Sequence, residues 1–230
     1  MKVLIACEFS GTVRDAFTAL GHDAISCDLL PSDKPGKHYQ GDVFDIINDG
    51  FDLMIAHPPC TWLCQAMRTN AARKDRPEIT KNFEKNRELG KKFFLNLLNC
   101  DIQKVAVENP IGYMNGNFRT PDQIIRPFMF GHHYSKDVCL WLKQLPPLLP
   151  TAWMLPTYKK LDFGSKYRNP NGRSIKSITF QGIANAMALQ WGGYIRAQST
   201  ATASNDTAIQ SDCVRTVKGK GEQTDATQSV

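Results

Sequence analysis

The stretch Phe51-Asp-Leu-Met-Ile-Ala-His-Pro-Pro-Cys60 decides the fold. Its apolar run, Leu53 to Ala56, has the length of a buried strand, and two prolines that cannot continue a ladder end it one residue before a thiol. Cys60 is therefore expected just past the C-terminal end of a strand. In open α/β sheets that edge is where ligands bind. For a lone cysteine there, a buried structural residue is the better reading. A second strand ending in the same way shifts the balance, since Lys104-Val-Ala-Val-Glu108-Asn109-Pro110 is again a short apolar run, closed by a carboxylate, an amide and a proline. A thiol and a carboxylate distant in sequence then meet at one sheet edge.

Working outward, Val3 to Cys7 reads as a buried first strand. Glu8-Phe9-Ser10-Gly11 reads as a turn into a helix from about Thr12 to Leu20, and His22 to Asp28 as a second strand ending in an acid. Strand, glycine turn, helix, strand, acid is the order of a nucleotide-binding βαβ unit in which the acid bonds a ribose hydroxyl. Only one glycine is present, with Val13 and Arg14 in the places of further glycines, which suits a ligand with a ribose and no pyrophosphate. Ile79, Phe83, Phe93, Phe94, Leu97 and Leu98 lie at helical spacing, so about Pro77 to Asn99 is one amphipathic crossover helix that makes the Leu53 and Val105 strands parallel. Val138 to Leu142 is a further strand. The fold class is α/β, a Rossmann-like, doubly wound, mostly parallel sheet.

The remaining segments read as connections. Leu30 to Lys37 is a loop, His38 to Ile46 a short segment carrying Asp42, and Ile111 to Gly131 irregular. Thr61 to Pro77, rich in Arg and Lys, reads either as a solvated connection or as a loop beside the thiol that touches a phosphate backbone. Residues 151–174 carry Lys159, Lys160, Lys166, Arg168 and Arg173 with Tyr158 and Tyr167 between them. This is the make-up of phosphate contact plus base stacking, and equally of a solvated loop. Residues 180–192 read as a short helix rich in small residues. After Arg196 almost nothing is left to bury, so 197–230 is expected to be a disordered tail and 1–196 the domain.

Composition narrows the partners. The formal charge of the 230-residue chain is +6, a modest basic excess that fits a phosphate-bearing partner without requiring one. No apolar stretch approaches a membrane span, and Glu8 interrupts the N-terminus too early for a signal peptide, so the expectation is a cytoplasmic protein with no membrane partner. Seven cysteines without a CxxC pair argue against a disulfide framework and against common zinc patterns, and no metal is expected.

Taken together, these stretches resemble the DNA (cytosine-5) methyltransferase family, in a compact phage or prophage form, over residues 1–196. Phe9-Ser10-Gly11 resembles the Phe-x-Gly of the cofactor turn, and Asp28 the acid that takes the ribose of S-adenosylmethionine. Asp42 sits where the third strand contacts the adenine. Pro59-Cys60 resembles the nucleophile dipeptide, Glu108-Asn109 the carboxylate motif, and Asn185-Ala186 the late asparagine motif whose helix packs on the cofactor site.

The resemblance implies a class I S-adenosylmethionine-dependent fold and methyl transfer to carbon 5 of cytosine in DNA through a covalent adduct on Cys60. Glu108 would bond the ring nitrogen and exocyclic amine, Asn109 and Pro110 would fix that carboxylate, and Lys136 would face the ring carbonyl. The chain departs from the family in three ways. Lys136-Asp137-Val138 stands in place of a paired-arginine motif, the glycine turn is reduced, and the large recognition domain is missing, leaving residues 143–178 to read sequence. An RNA or free-nucleotide substrate, a different transferred group, and a catalytically silent nucleic-acid-binding relative are the alternatives.

Overall fold

In the computed structural model, residues 1–71, 77–156, 178–195 and 197–198 are described. The chain divides into two compact units, Met1–Gly192 and Gly193–Val230, and the sheet and all residues discussed below lie in the first. Its centre is β1 (Lys2–Ala6), whose Val3, Leu4, Ile5 and Ala6 are fully buried. Such an unbroken apolar run, without polar alternation, is required of a strand covered on both faces.

Helix α1 (Thr12–Ala19) leads to β2 (Asp23–Asp28), which pairs parallel to β1, and β3 (His38–Gln40) adds outside β2. The chain then crosses to the other side of β1. There β4 (Leu53–Ala56) pairs parallel with it, all four residues fully buried, and β5 (Lys104–Asn109) pairs parallel with β4. Between β4 and β5 lie α2 (Gln65–Ala71) and the crossover helix α3 (Pro77–Leu98). Phe83, Phe94, Leu97 and Leu98 of α3 are buried, and Phe94 meets Trp141 edge to face at 5.1 Å. After α4 (Tyr113–Asn117), β6 (Gln123–Ile125) and β7 (Val138–Lys143) close the sheet in the order β3-β2-β1-β4-β5-β7-β6. β7 is antiparallel to both β5 and β6.

Three segments differ from the sequence reading. Thr61 to Pro77 is not a continuous loop, because Gln65–Ala71 is helical. The stretch after Ile111 contains α4 and the three-residue edge strand β6. The short segment at His38 is a true strand, and Asp42 follows it as the cap of a 3-10 turn, accepting the N–H of Phe44 at 3.0 Å.

The start of α1 explains why one glycine suffices in the first turn. Gly11 has φ +68°, and a Cβ there would stand 2.4 Å from the guanidinium of Arg14. That buried side chain donates to the Pro35 carbonyl at 2.7 Å and to Ser32 and Ser26, so it clamps the 32–35 loop from beneath. The carboxylate of Glu8, also buried, accepts the N–H groups of Val13 at 2.7 Å and Arg14 at 3.2 Å. The helix N-terminus, the usual seat of a phosphate, is thereby filled by the chain's own acid. Glu8→Ala leaves two buried donors unpaired and is expected to cost about 2–4 kcal/mol of stability, with Glu8→Gln intermediate. Equal melting temperatures for the three proteins would contradict this role.

Candidate active site at the strand ends

Parallel register brings the reactive residues together. Ala6 pairs with Cys27 on one side and Ala56 on the other, and Ala56 with Val107. Cys7, Asp28, His57 to Cys60 and Glu108 consequently emerge at one edge. β1 and β4 are also the strands at which the chain turns from one direction of sheet growth to the other, the place where open α/β sheets bind ligands.

On the β1–β3 side lies a small cleft of about 130 Å³ lined by Cys7, Cys27, Asp28, Leu29, Gly41, Asp42, Val43, Pro59 and Phe93. Among the described residues its lining holds two carboxylates and no basic side chain. Burial, with Asp28 adding charge repulsion, pushes the Cys7 thiol far up, and the same causes push Cys27 up to about 12, so both are neutral hydrogen-bonding groups. Cys7 itself turns the chain with φ +58°. Asp28 accepts the N–H of Leu30 at 2.9 Å through one carboxylate oxygen. Phe9 accepts the N–H of Asp33 through its carbonyl, and Ser10 donates its hydroxyl to Glu8. Ser10 and Gly11 are buried, so this part of the predicted cofactor turn is packed.

Pro59 lines this cleft, and the next residue begins the other half of the site. The Cys60 carbonyl accepts the N–H groups of Leu63 and Cys64, which winds the loop back over a half-buried thiol. Burial pushes that thiol above its ordinary value and Cys64 adds to the effect, while the positive charge of Lys136 opposes it. Lys136 reaches the site because β7 runs backwards. Asn109 pairs with Cys139, so the residues before Val138 extend past the end of β5, and the lysine charge acts on Cys60, His57 and Glu108 alike.

Glu108 is held by a residue that the sequence reading passed over. Nδ1 of His57 lies 2.8 Å from Oε2 of Glu108, with side-chain exposures of 9% and 17%. Burial opposes charge on both. The shared hydrogen bond and mutual attraction outweigh it, raising the imidazole and lowering the carboxyl, so the pair is ionised near neutrality. Asn109 is buried and does not touch the carboxylate. Its amide donates to the Pro58 carbonyl at 3.3 Å and to the Glu108 carbonyl at 3.2 Å, pinning the Pro-Pro turn to the end of β5. The signal for His57 was present as a polar side chain at the mouth of an apolar strand, but its partner is 51 residues away.

Beyond the loop opens a larger cavity of about 750 Å³, lined in part by Trp62, Cys64, Phe83, Arg87 and Tyr113. Arg87 lies over the rings of Phe83 and Tyr113 at 4.8 and 4.3 Å and pairs with Glu84. Sequence reading identified Phe83 only as a core residue.

Asn185 stands apart from both halves. It is exposed on α5, the helix that begins at residue 181, accepts from Gln181 at 2.9 Å, and faces a shallow cleft against Asp15, Ala19 and Leu20 of the α1 region. Its helix is anchored elsewhere, by Trp191 donating to the Pro146 carbonyl and by Gln190 bonding both backbone groups of Leu149. Lys159, Lys160, Lys166, Arg168 and Arg173, and with them most of the proposed recognition region 143–178, lie outside the described residues. Among the described residues no group of three or more His, Cys, Asp or Glu is placed to hold a metal ion, and no helix is long and apolar enough to cross a membrane. No protein-family model matches the chain, and no curated protein matches it.

Proposed function

We propose that the chain transfers a methyl group from S-adenosylmethionine to carbon 5 of cytosine in DNA, with Cys60 as nucleophile. The observation that carries this reading is the adjacency of Pro59 and Cys60. One residue lines an acidic cleft, and the next presents a thiol to the side where Glu108 and Lys136 exert their charge. A methyl donor and an acceptor base would thus meet across one peptide bond of the chain.

The cleft fits the cofactor on chemical grounds. Two carboxylates in the lining disfavour a pyrophosphate, and Glu8 already fills the helix N-terminus that would bind one. A ribose and a cationic sulfonium are the complementary partners, with Asp28 for the ribose and Asp42 for the base end. The doubly wound, mostly parallel sheet supports the class I reading, in the fold that the resemblance implies.

S-adenosylmethionine, when bound, supplies an electrophilic methyl. The chain supplies the rest. Carbon 5 of cytosine is a weak nucleophile until a thiolate adds to carbon 6, and Cys60 would make that bond. Its thiol is protonated in the resting protein, so Lys136 and the incoming substrate must favour the thiolate. Glu108 meets the ring nitrogen and exocyclic amine, where charge develops as the thiolate adds. Asn109 keeps the cysteine loop and the carboxylate strand in register. In a duplex the base must leave the stack to be reached, and the aromatic and arginine faces of the larger cavity offer surfaces on which a neighbouring base stacks.

Labelled methyl groups from S-adenosylmethionine should appear in duplex DNA incubated with the protein, and bisulfite sequencing should place them on cytosine. Equal or faster labelling of free dCMP or RNA would reassign the substrate, and transfer to none of them would end the proposal. Independently of turnover, S-adenosylhomocysteine should raise the melting temperature. Asp28→Ala should weaken that binding by roughly 1–3 kcal/mol, the range for a hydrogen bond to a charged group. Binding of a nicotinamide dinucleotide in its place would overturn the cofactor assignment.

A further inference from the structure

We propose that His57 is a positioning residue that holds Glu108 and supplies, through it, the proton taken up by the ring nitrogen of the target base. This rests on the cytosine reading above and adds to it a group that neither the Pro-Cys nor the Glu-Asn motif contains.

Geometry restricts what His57 can do. Its backbone N–H donates to the Ala6 carbonyl at 2.9 Å, tying the residue to the end of β1, and Nδ1 meets Glu108 at 2.8 Å. Nε2 is buried and has no hydrogen-bond partner among the described residues. The hydrogen bond made by the ring therefore leads to Glu108, and a proton on Nδ1 passes to that carboxylate. The charged groups around the imidazole are Glu108 on β5, Glu8 after β1 and Lys136 before β7, with Cys60 on its own loop. Burial disfavours the imidazolium, but the Glu108 hydrogen bond and two acids against one base outweigh it, so the pair stores one proton that a lone ionised carboxylate lacks.

That proton is what the addition step consumes. As the Cys60 thiol gives its proton to water and the thiolate forms the bond to carbon 6, the C5=C6 electron pair moves to C4–C5 and the C4=N3 pair to N3. N3 takes a proton from Glu108, and Glu108 takes the Nδ1 proton of His57, leaving a neutral imidazole and a restored carboxylate. The C4=C5 enamine makes carbon 5 nucleophilic, and S-adenosylmethionine, when bound, would supply the methyl there and leave as the neutral thioether. When water removes the carbon 5 proton and the C6–S bond breaks, N3 returns its proton by the same route.

His57→Asn separates holding from supplying, because the amide N–H can keep a bond to Glu108 but has no proton to release. The rate of covalent adduct formation on 5-fluorocytosine DNA should be measured from pH 6 to pH 9. In the wild type it should fall at high pH as the imidazolium is lost. In His57→Asn it should be about a hundredfold slower near pH 7, the scale of a lost general acid. The descending limb should be absent there, leaving only the rise due to Cys60 ionisation, while S-adenosylhomocysteine affinity stays within about twofold of the wild type. Full rate with an unchanged profile in His57→Asn would overturn the proposal and leave His57 a purely structural contact.

NMR titration of the His57 imidazole in the wild type gives a readout that needs neither the variant nor turnover. A neutral ring at pH 7 overturns this proposal alone. A charged ring that loses its proton at lower pH in Glu108→Gln supports the pair. If that ring is charged but the wild type forms no adduct with cytosine in any substrate, the functional reading has failed, and the relay with it.

Discussion

A randomised oligonucleotide pool carrying 5-fluorocytosine will accumulate a denaturation-resistant adduct with the protein when S-adenosylmethionine is present. The thiolate leaves carbon 6 only after a base removes the substituent at carbon 5 as a proton, and fluorine cannot leave in that way. The adduct mass should equal protein plus oligonucleotide plus one methyl group, and peptide mapping should place it on Cys60. Cys64 is the obvious competitor, but it sits in a β-bridge to Gly112 with its thiol donating to the Thr61 carbonyl at 3.4 Å. Cys64→Ser should therefore retain the adduct and Cys60→Ser abolish it, while both bind S-adenosylhomocysteine normally. Serine keeps the shape of the nucleophile and loses its acidity. An adduct that survives in Cys60→Ser would remove the residue on which the proposed mechanism turns.

The second large effect belongs to Glu108→Gln, which keeps the side-chain shape and removes the charge. Adduct formation should slow by at least about a hundredfold, as is common when a charge-stabilising group is lost, and the same change breaks the ion pair with His57. Its pH signature has a definite sign. The Glu108 carboxyl is lowered from 4.5, so its contribution is present above that value and lost as pH falls through the lowered folded value. The His57 imidazole is raised from 6.5, so its contribution is full below that value and lost as pH rises through the raised one. The stability difference between wild type and Glu108→Gln should thus be greatest between about pH 4.5 and 6.5 and shrink on either side. Melting curves that run parallel across this range would show that the pair is not ionised.

Cys60 and Glu108 were visible in the sequence because each follows an apolar run closed by proline, and such strand endings are local events. Helix α3 was legible for a related reason, since six apolar residues at helical spacing locate a 22-residue amphipathic helix to within a residue of its observed end. Helix α2 was not. Gln65-Ala-Met-Arg-Thr-Asn-Ala71 has no apolar period, so nothing in the segment marks its helicity. β6 has three residues and acquires its strand character by pairing with β7.

The sequence by itself determined which side chains stand at the ends of β1, β2, β4 and β5, because proline, glycine and the end of an apolar run act on their own neighbours. Only the tertiary structure decided what those side chains meet. The reversal of β7 carries Lys136 to Cys60 and Glu108, Glu8 turns back into the mouth of α1, and His57 reaches Glu108 from a different strand. Asn185, read as a cofactor residue from its motif, stands exposed on α5, because the burial of Ile183, Ala184, Met187 and Trp191 sets how that helix is rotated. Each of these outcomes depends on the order and direction of strands in the sheet, a property of long-range pairing that no local pattern of residues encodes.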